Sequence, residues 1–152
     1  MAGVALEGCR GGVLRYPVPA LTPVSWLCAD DLGAYAAAAL RRRDLAGRAF
    51  DVGGPEVMTG PGLAAQLSSA MGRPIAYEPL SPGLFEASLQ PIFGGAVAHG
   101  IAKSYYWLAE HPHTELCAGT SPELERELAR PLVGVEAWAR ARTWGSRPPE
   151  QT

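Results

Sequence analysis

At 152 residues, with 47% apolar and 18% charged side chains, the chain can bury one sizeable core, which excludes a disordered or fibrous protein. A net charge of -2 gives no reason to expect a nucleic acid or an anionic membrane as partner. Cys9, Cys28 and Cys117, odd in number and far apart, fit reduced thiols in a cytoplasm better than a disulfide framework, and no apolar run reaches the ~18 residues of a membrane span.

Met1 to Gly12 is small and Gly-rich without a period, and Glu7 with its neighbouring glycines stands where a signal peptide would carry its apolar core. Val13 to Tyr16 predicts a short strand, stopped by the prolines at 17, 19 and 23. Val24 to Cys28 is apolar at nearly every position, as expected of a strand covered on both faces. Asp30 or Asp31 then stands where a helix N-cap belongs, and Leu32, Tyr35, Ala36, Ala39 and Leu40 recur at helical spacing as its buried face. Arg41-Arg42-Arg43 closes that helix and reads as a solvated end rather than a phosphate patch.

Ala49 to Val52 predicts a second strand, parallel to the first because the crossover between them is long. Gly53-Gly54-Pro55 turns the chain, Thr59 caps a helix with Pro61 in its first turn, and Gly72 ends it. Leu63, Ala64, Leu67, Ala70 and Met71 form its buried face. Ile75 to Leu80 alternates like an edge strand, a location that Pro79 supports. Pro82 to Gln90 predicts a short helix with Leu84, Phe85 and Leu89, and Ile92 to Glu110 a longer one with Val97, Ile101, Tyr105 and Leu108 on one side. Ser121 with Pro122 predicts a further helix start, Val135, Trp138 and Ala139 a last amphipathic turn, and 146–152 a disordered tail.

Few residues present themselves for chemistry. The Pro between His111 and His113, with Cys117 further on, leaves no full ligand set, so no metal is expected. Asp30 and Asp31 read as cap and surface, Asp51 as a backbone partner, and Ser68 and Ser69 have no nearby His to activate them. Phe85, His99, Lys103, Tyr105, Tyr106 and Trp107 form the best ligand-facing group, although aromatic residues at helical spacing more often build core.

The run LAGRAFDVGGPEVMTGPGLAAQLSSAMGRPIAYEPL, preceded by Trp26 with Asp30 and Asp31, resembles the C-terminal half of NmrA-like proteins, an atypical short-chain dehydrogenase/reductase group. Phe50-Asp51-Val52-Gly53-Gly54-Pro55-Glu56 matches the family's strand and turn, Gly72-Arg73-Pro74-Ile75-Ala76-Tyr77 its helix end, and SPELERELARPLVGVEAWARA its closing segment. The resemblance implies an α/β fold, the C-terminal part of a Rossmann-like fold. It would hold about two parallel strands and an edge strand or two in 1–80, then a mainly helical substrate lobe in 81–145 that carries the six pocket candidates.

Gly8, Gly11 and Gly12 follow no predicted strand and open no helix, so they fail the context of a dinucleotide fingerprint. The Tyr-x-x-x-Lys catalytic pair of classical members is also absent, since His99 stands four residues before Lys103. The expectation is a truncated substrate-lobe half with no catalytic or cofactor-binding residue of its own, not an enzyme alone. Its partner would be a second copy or a separate nucleotide-binding half, and a small molecule its ligand. Two alternatives are an NAD(P)H-dependent reductase of a small organic substrate once that half is supplied, and a redox-linked regulatory binding protein.

Overall fold

The computed structural model describes residues 9, 11–112, 114, 125–126, 128 and 131–142. Strand β1 (Val13–Tyr16) pairs in parallel with β4 (Ala76–Pro79), Val13 opposite Ala76 and Tyr16 opposite Pro79. Strand β2 (Val24–Ser25) pairs antiparallel with β3 (Val57–Met58). Helices α1 (Ala29–Leu40), α2 (Gly60–Met71), α3 (Pro82–Phe93), α4 (Gly95–Glu110) and α5 (Val135–Arg140) complete the described elements, with a 3-10 turn at Arg43–Leu45.

The mixed α/β architecture and its parallel pair agree with the sequence, but the pair is a different one. Ala49 to Val52 forms no strand, and β2 stops at Ser25 instead of reaching Cys28. A strand needs a ladder partner along its length. It is the turn after this segment that meets β2, the Gly54 N–H donating to the Ser25 carbonyl (3.2 Å) and the Ser25 hydroxyl to the Gly54 carbonyl (3.0 Å). The predicted edge strand Ile75–Leu80 is the one that pairs, lying beside β1.

The N-cap of α1 is Cys28, not an aspartate: its sulfur accepts from the Asp31 N–H at 3.4 Å. Asp31 is buried because its Oδ2 accepts from the Val133 N–H at 2.8 Å, tying the C-terminal segment to the start of α1. The buried stripe of α1 is accordingly Asp31 and Tyr35, four residues apart, while Leu32 and Leu40 are 50% and 88% exposed. Helix α2 follows the sequence closely. Thr59 accepts from Gly62 N–H, and Gly72 ends the helix at φ 63°, a left-handed conformation that favours glycine.

The long helix predicted from Ile92 is broken. Helix α3 runs on to Phe93, and Gly94 at φ 76° turns the chain into α4. Val97 is exposed, and Ala98 and Ala102 are buried against α3, small side chains that let the two helices approach closely. Two buried clusters result. One joins Leu14, Leu63, Leu67, Ile75 and Ala139 between β1, α2 and α5, and the other joins Phe85, Leu89, Ala98 and Ala102 within the α3–α4 hairpin. Helix α5, read from sequence as part of the helical lobe, packs on α2. The reading at Ser121 and the tail 146–152 lie outside the described residues.

Candidate ligand cavity at the strand ends

Tyr16 closes β1 and Ser25 closes β2, strands of two separate two-stranded sheets, and both residues lie on the wall that faces α4. Between them opens a cavity of about 530 Å³, lined by Tyr16, Val18, Val24 to Leu27 and, from α4, Ser104, Tyr105, Trp107 and Leu108. This is the end of the strands where open α/β sheets take ligands, and the volume lies in the usual range for small-molecule sites.

Rings position the wall. Tyr16 meets Trp26 edge to face at 5.5 Å and Tyr105 at 5.9 Å, and Phe85 backs Tyr105 at 5.0 Å. The hydroxyls of Tyr16 and Tyr105 hydrogen-bond each other at 2.9 Å. Burial first, and the Tyr16 hydroxyl second, push the Tyr105 phenol above its ordinary range, so it stays protonated. Behind the wall, Tyr77 donates to the Val18 carbonyl at 2.6 Å, and burial raises its phenol to about 12. The indole N–H of Trp26 donates to the Met58 carbonyl at 3.1 Å, and this fixes the ring.

Of the six candidate residues Phe85 stands on α3 and the other five on α4. Tyr105 and Trp107 line the cavity, with Phe85 buried behind them. Trp107 also stacks on His111 at 4.4 Å. Tyr106 and His99 face α3, where both reach Glu86: Tyr106 donates to Oε2 at 2.9 Å and His99 Nδ1 lies 3.3 Å from Oε1. That bond to the Glu86 carboxylate, ahead of burial, raises the Tyr106 phenol. Lys103 is exposed on the same helix and lines neither cavity. Tyr16 and Trp26 were not among the candidates. For Tyr16 the signal was positional, an aromatic residue at the carboxyl end of a predicted strand, whereas Trp26 stood in the middle of one.

A second cavity of about 510 Å³ lies on the other side of Tyr16, Trp26 and Leu27, which line both. Its walls are almost wholly apolar and include Leu14, Leu63, Leu67, Trp138 and the exposed Leu32. Among the described residues no group of His, Cys, Asp and Glu could hold a metal; His113 and Cys117 lie outside them.

No family model matches the chain. It is 32% identical over 117 residues to a (4-alkanoyl-5-oxo-2,5-dihydrofuran-3-yl)methyl phosphate reductase of Streptomyces griseus, and 29% identical over 118 residues to an NAD(P)H azoreductase of Xenophilus azovorans. These matches take in 77% and 78% of this chain and 40% of each relative. In structure it is similar to an NADPH-dependent quinone oxidoreductase from Escherichia coli (TM-score 0.62, 22% identity), covering 92% of this chain and 48% of that one. A nucleoside-diphosphate-sugar epimerase from Staphylococcus aureus gives TM-score 0.66 at 21% identity, with 91% and 47% covered. The chain shares the α/β, Rossmann-like fold of these two structures over about half of their length. The chain thus spans about two fifths of the curated relatives it matches.

The Citrobacter triphenylmethane reductase, similar at TM-score 0.62 and 18% identity, is a complex with NADP(H). The described residues do not by themselves fit a dinucleotide. Neither cavity wall holds a cation, and no glycine-rich strand-to-helix turn among those residues faces either one, so a pyrophosphate would find no charge partner. No helix among the described residues is long and apolar enough to cross a membrane.

Proposed function

We propose that this chain is the substrate-side half of a cytoplasmic NAD(P)H-dependent reductase for a small, flat organic molecule, with the dinucleotide held by a separate nucleotide-binding half. One observation carries the reading: the cavity at the carboxyl ends of β1 and β2 is walled by Tyr16, Trp26, Tyr105 and Trp107 and holds no ionised group. Such a wall binds a flat apolar body by ring contact and excludes water around it. The relatives reduce an azo compound and a butenolide phosphate, and the similar structures include a quinone and a triphenylmethane dye reductase, which supports the reaction class.

The reduced nicotinamide would supply the hydride. This chain's own residues would orient the acceptor, and on its own the chain would not turn over. The second, apolar cavity and the exposed Leu32 and Leu40 support a protein partner, because apolar surface of this kind is ordinarily covered.

The test is a fusion of this chain behind the nucleotide-binding half of the Xenophilus azovorans azoreductase. A folded fusion should oxidise NADPH with azo or quinone acceptors, while the 152-residue chain alone should not. A fusion that binds NADPH and reduces none of a panel of azo, quinone and enone acceptors would refute the reading.

A further inference from the structure

The phenol pair in the wall has one proton more than it uses. Tyr16 and Tyr105 carry one O–H each, and a single hydrogen bond joins them, so one of the two donates to the other and the second O–H remains. Among the described residues neither phenol has a further side-chain or backbone partner. The other hydroxyls of the wall are engaged: Ser25 donates to the Gly54 carbonyl at 3.0 Å and Ser104 to the Ile101 carbonyl at 3.1 Å. The remaining donor therefore belongs to a half-buried pair in an otherwise apolar, aromatic wall, and burial keeps Tyr105 protonated.

A ring face accepts a proton weakly and a carbonyl oxygen accepts it well. A carboxylate or phosphate would accept it too, but would lose its hydration against a wall without a cation. We propose that the Tyr16–Tyr105 pair is the polar anchor of this cavity and selects a flat apolar ligand bearing a neutral carbonyl-type acceptor at its edge. The inference rests on the proposed substrate-side role and names the ligand class for it. The pair orients the acceptor oxygen and can donate a hydrogen bond to it as it gains negative charge, without itself taking part in bond-making.

The test uses 1-tetralone and its carbonyl-free counterpart tetralin as probes, read by tryptophan fluorescence on the 152-residue chain, whose Trp26 and Trp107 line the cavity. Wild type should bind both. The Tyr16→Phe/Tyr105→Phe double variant keeps the rings and should weaken tetralone about three- to tenfold, the worth of one neutral hydrogen bond, leaving tetralin unchanged. Equal weakening of both probes, or of neither, overturns the anchor while leaving the cavity in place. Failure of wild type to bind either probe overturns the cavity itself and the substrate-side reading with it. A second measurement covers a variant that loses its wild-type circular dichroism. The carbonyl stretch of tetralone bound to wild type should shift to lower frequency, and an unshifted band overturns the anchor.

Discussion

Among the described glycines Gly54 makes the tightest approach, to the backbone of Trp26 just after β2, and it makes the sharpest prediction. A Cβ built on Gly54 stands 1.7 Å from the Trp26 carbonyl oxygen and 2.5 Å from its carbon, both backbone atoms that cannot swing aside. Real Cβ contacts begin near 3.0 Å, so Gly54→Ala must part the two segments by more than 1 Å. That displacement removes the Gly54 N–H bond to Ser25 and the Ser25 hydroxyl bond to Gly54, and leaves the hydroxyl of a buried residue unpaired. At about 1 kcal/mol for the lost backbone bond and 1–3 kcal/mol for the buried hydroxyl left unpaired, the cost is about 2–4 kcal/mol. The assay is urea unfolding followed by circular dichroism, with Gly33→Ala as the reference substitution. Gly33 sits mid-helix in α1 with nothing within 4 Å of its added Cβ. The reference should therefore gain about 0.5–1 kcal/mol. Because Ser25, Trp26 and Leu27 are cavity wall, Gly54→Ala should also weaken tetralin binding. A Gly54→Ala chain as stable as wild type would refute the contact between the Gly-Gly-Pro turn and β2.

Asp31→Ala should cost about 1–3 kcal/mol, because the Val133 N–H loses its acceptor, and Asp31→Asn should cost less because its amide oxygen can replace the carboxylate. Urea unfolding of the two variants checks the order; equal losses would mean that charge, not the hydrogen bond, matters. Alkaline titration tests the buried phenols. Tyr77 is raised to about 12 and Tyr105 is also raised, whereas an unfolded phenol ionises near 10. The unfolded chain therefore loses its phenolic protons first, so this contribution to stability is complete below pH ~10 and fades as pH rises through 12. Phenolate absorbance should show a late component that coincides with loss of ellipticity, and five tyrosines titrating together near pH 10 would refute it.

What the sequence revealed of the fold tracks how local each signal is. Thr59, Pro61 and Gly72 set the ends of α2 through bonds and dihedrals within a few residues, and the structure has them where the sequence puts them. The strands failed where pairing decides. An apolar run such as Val24 to Cys28 states only that its side chains avoid water, and among the described residues its ladder partner is the two-residue β3. The cap of α1 moved to Cys28 because Asp31 binds Val133, about a hundred residues later, a tertiary bond with no trace in the local pattern.

The cavity shows the same division at the level of the site. Helical spacing grouped Tyr105 and Trp107, which line the cavity from α4, with Phe85, which backs Tyr105 from α3. It could not separate Tyr105 and Trp107 from His99 and Tyr106, which lie on the same helix and face Glu86 instead. Nor could it bring Tyr16 to Tyr105 across 89 positions of chain. That meeting depends on β1 pairing with β4 and on α3 following β4 closely enough to set the α3–α4 hairpin over the end of β1. The phenol pair is thus a product of register. Shifting β1 by one residue against β4 would turn Tyr16 to the opposite face of the sheet and take the acceptor-binding hydroxyl out of the cavity.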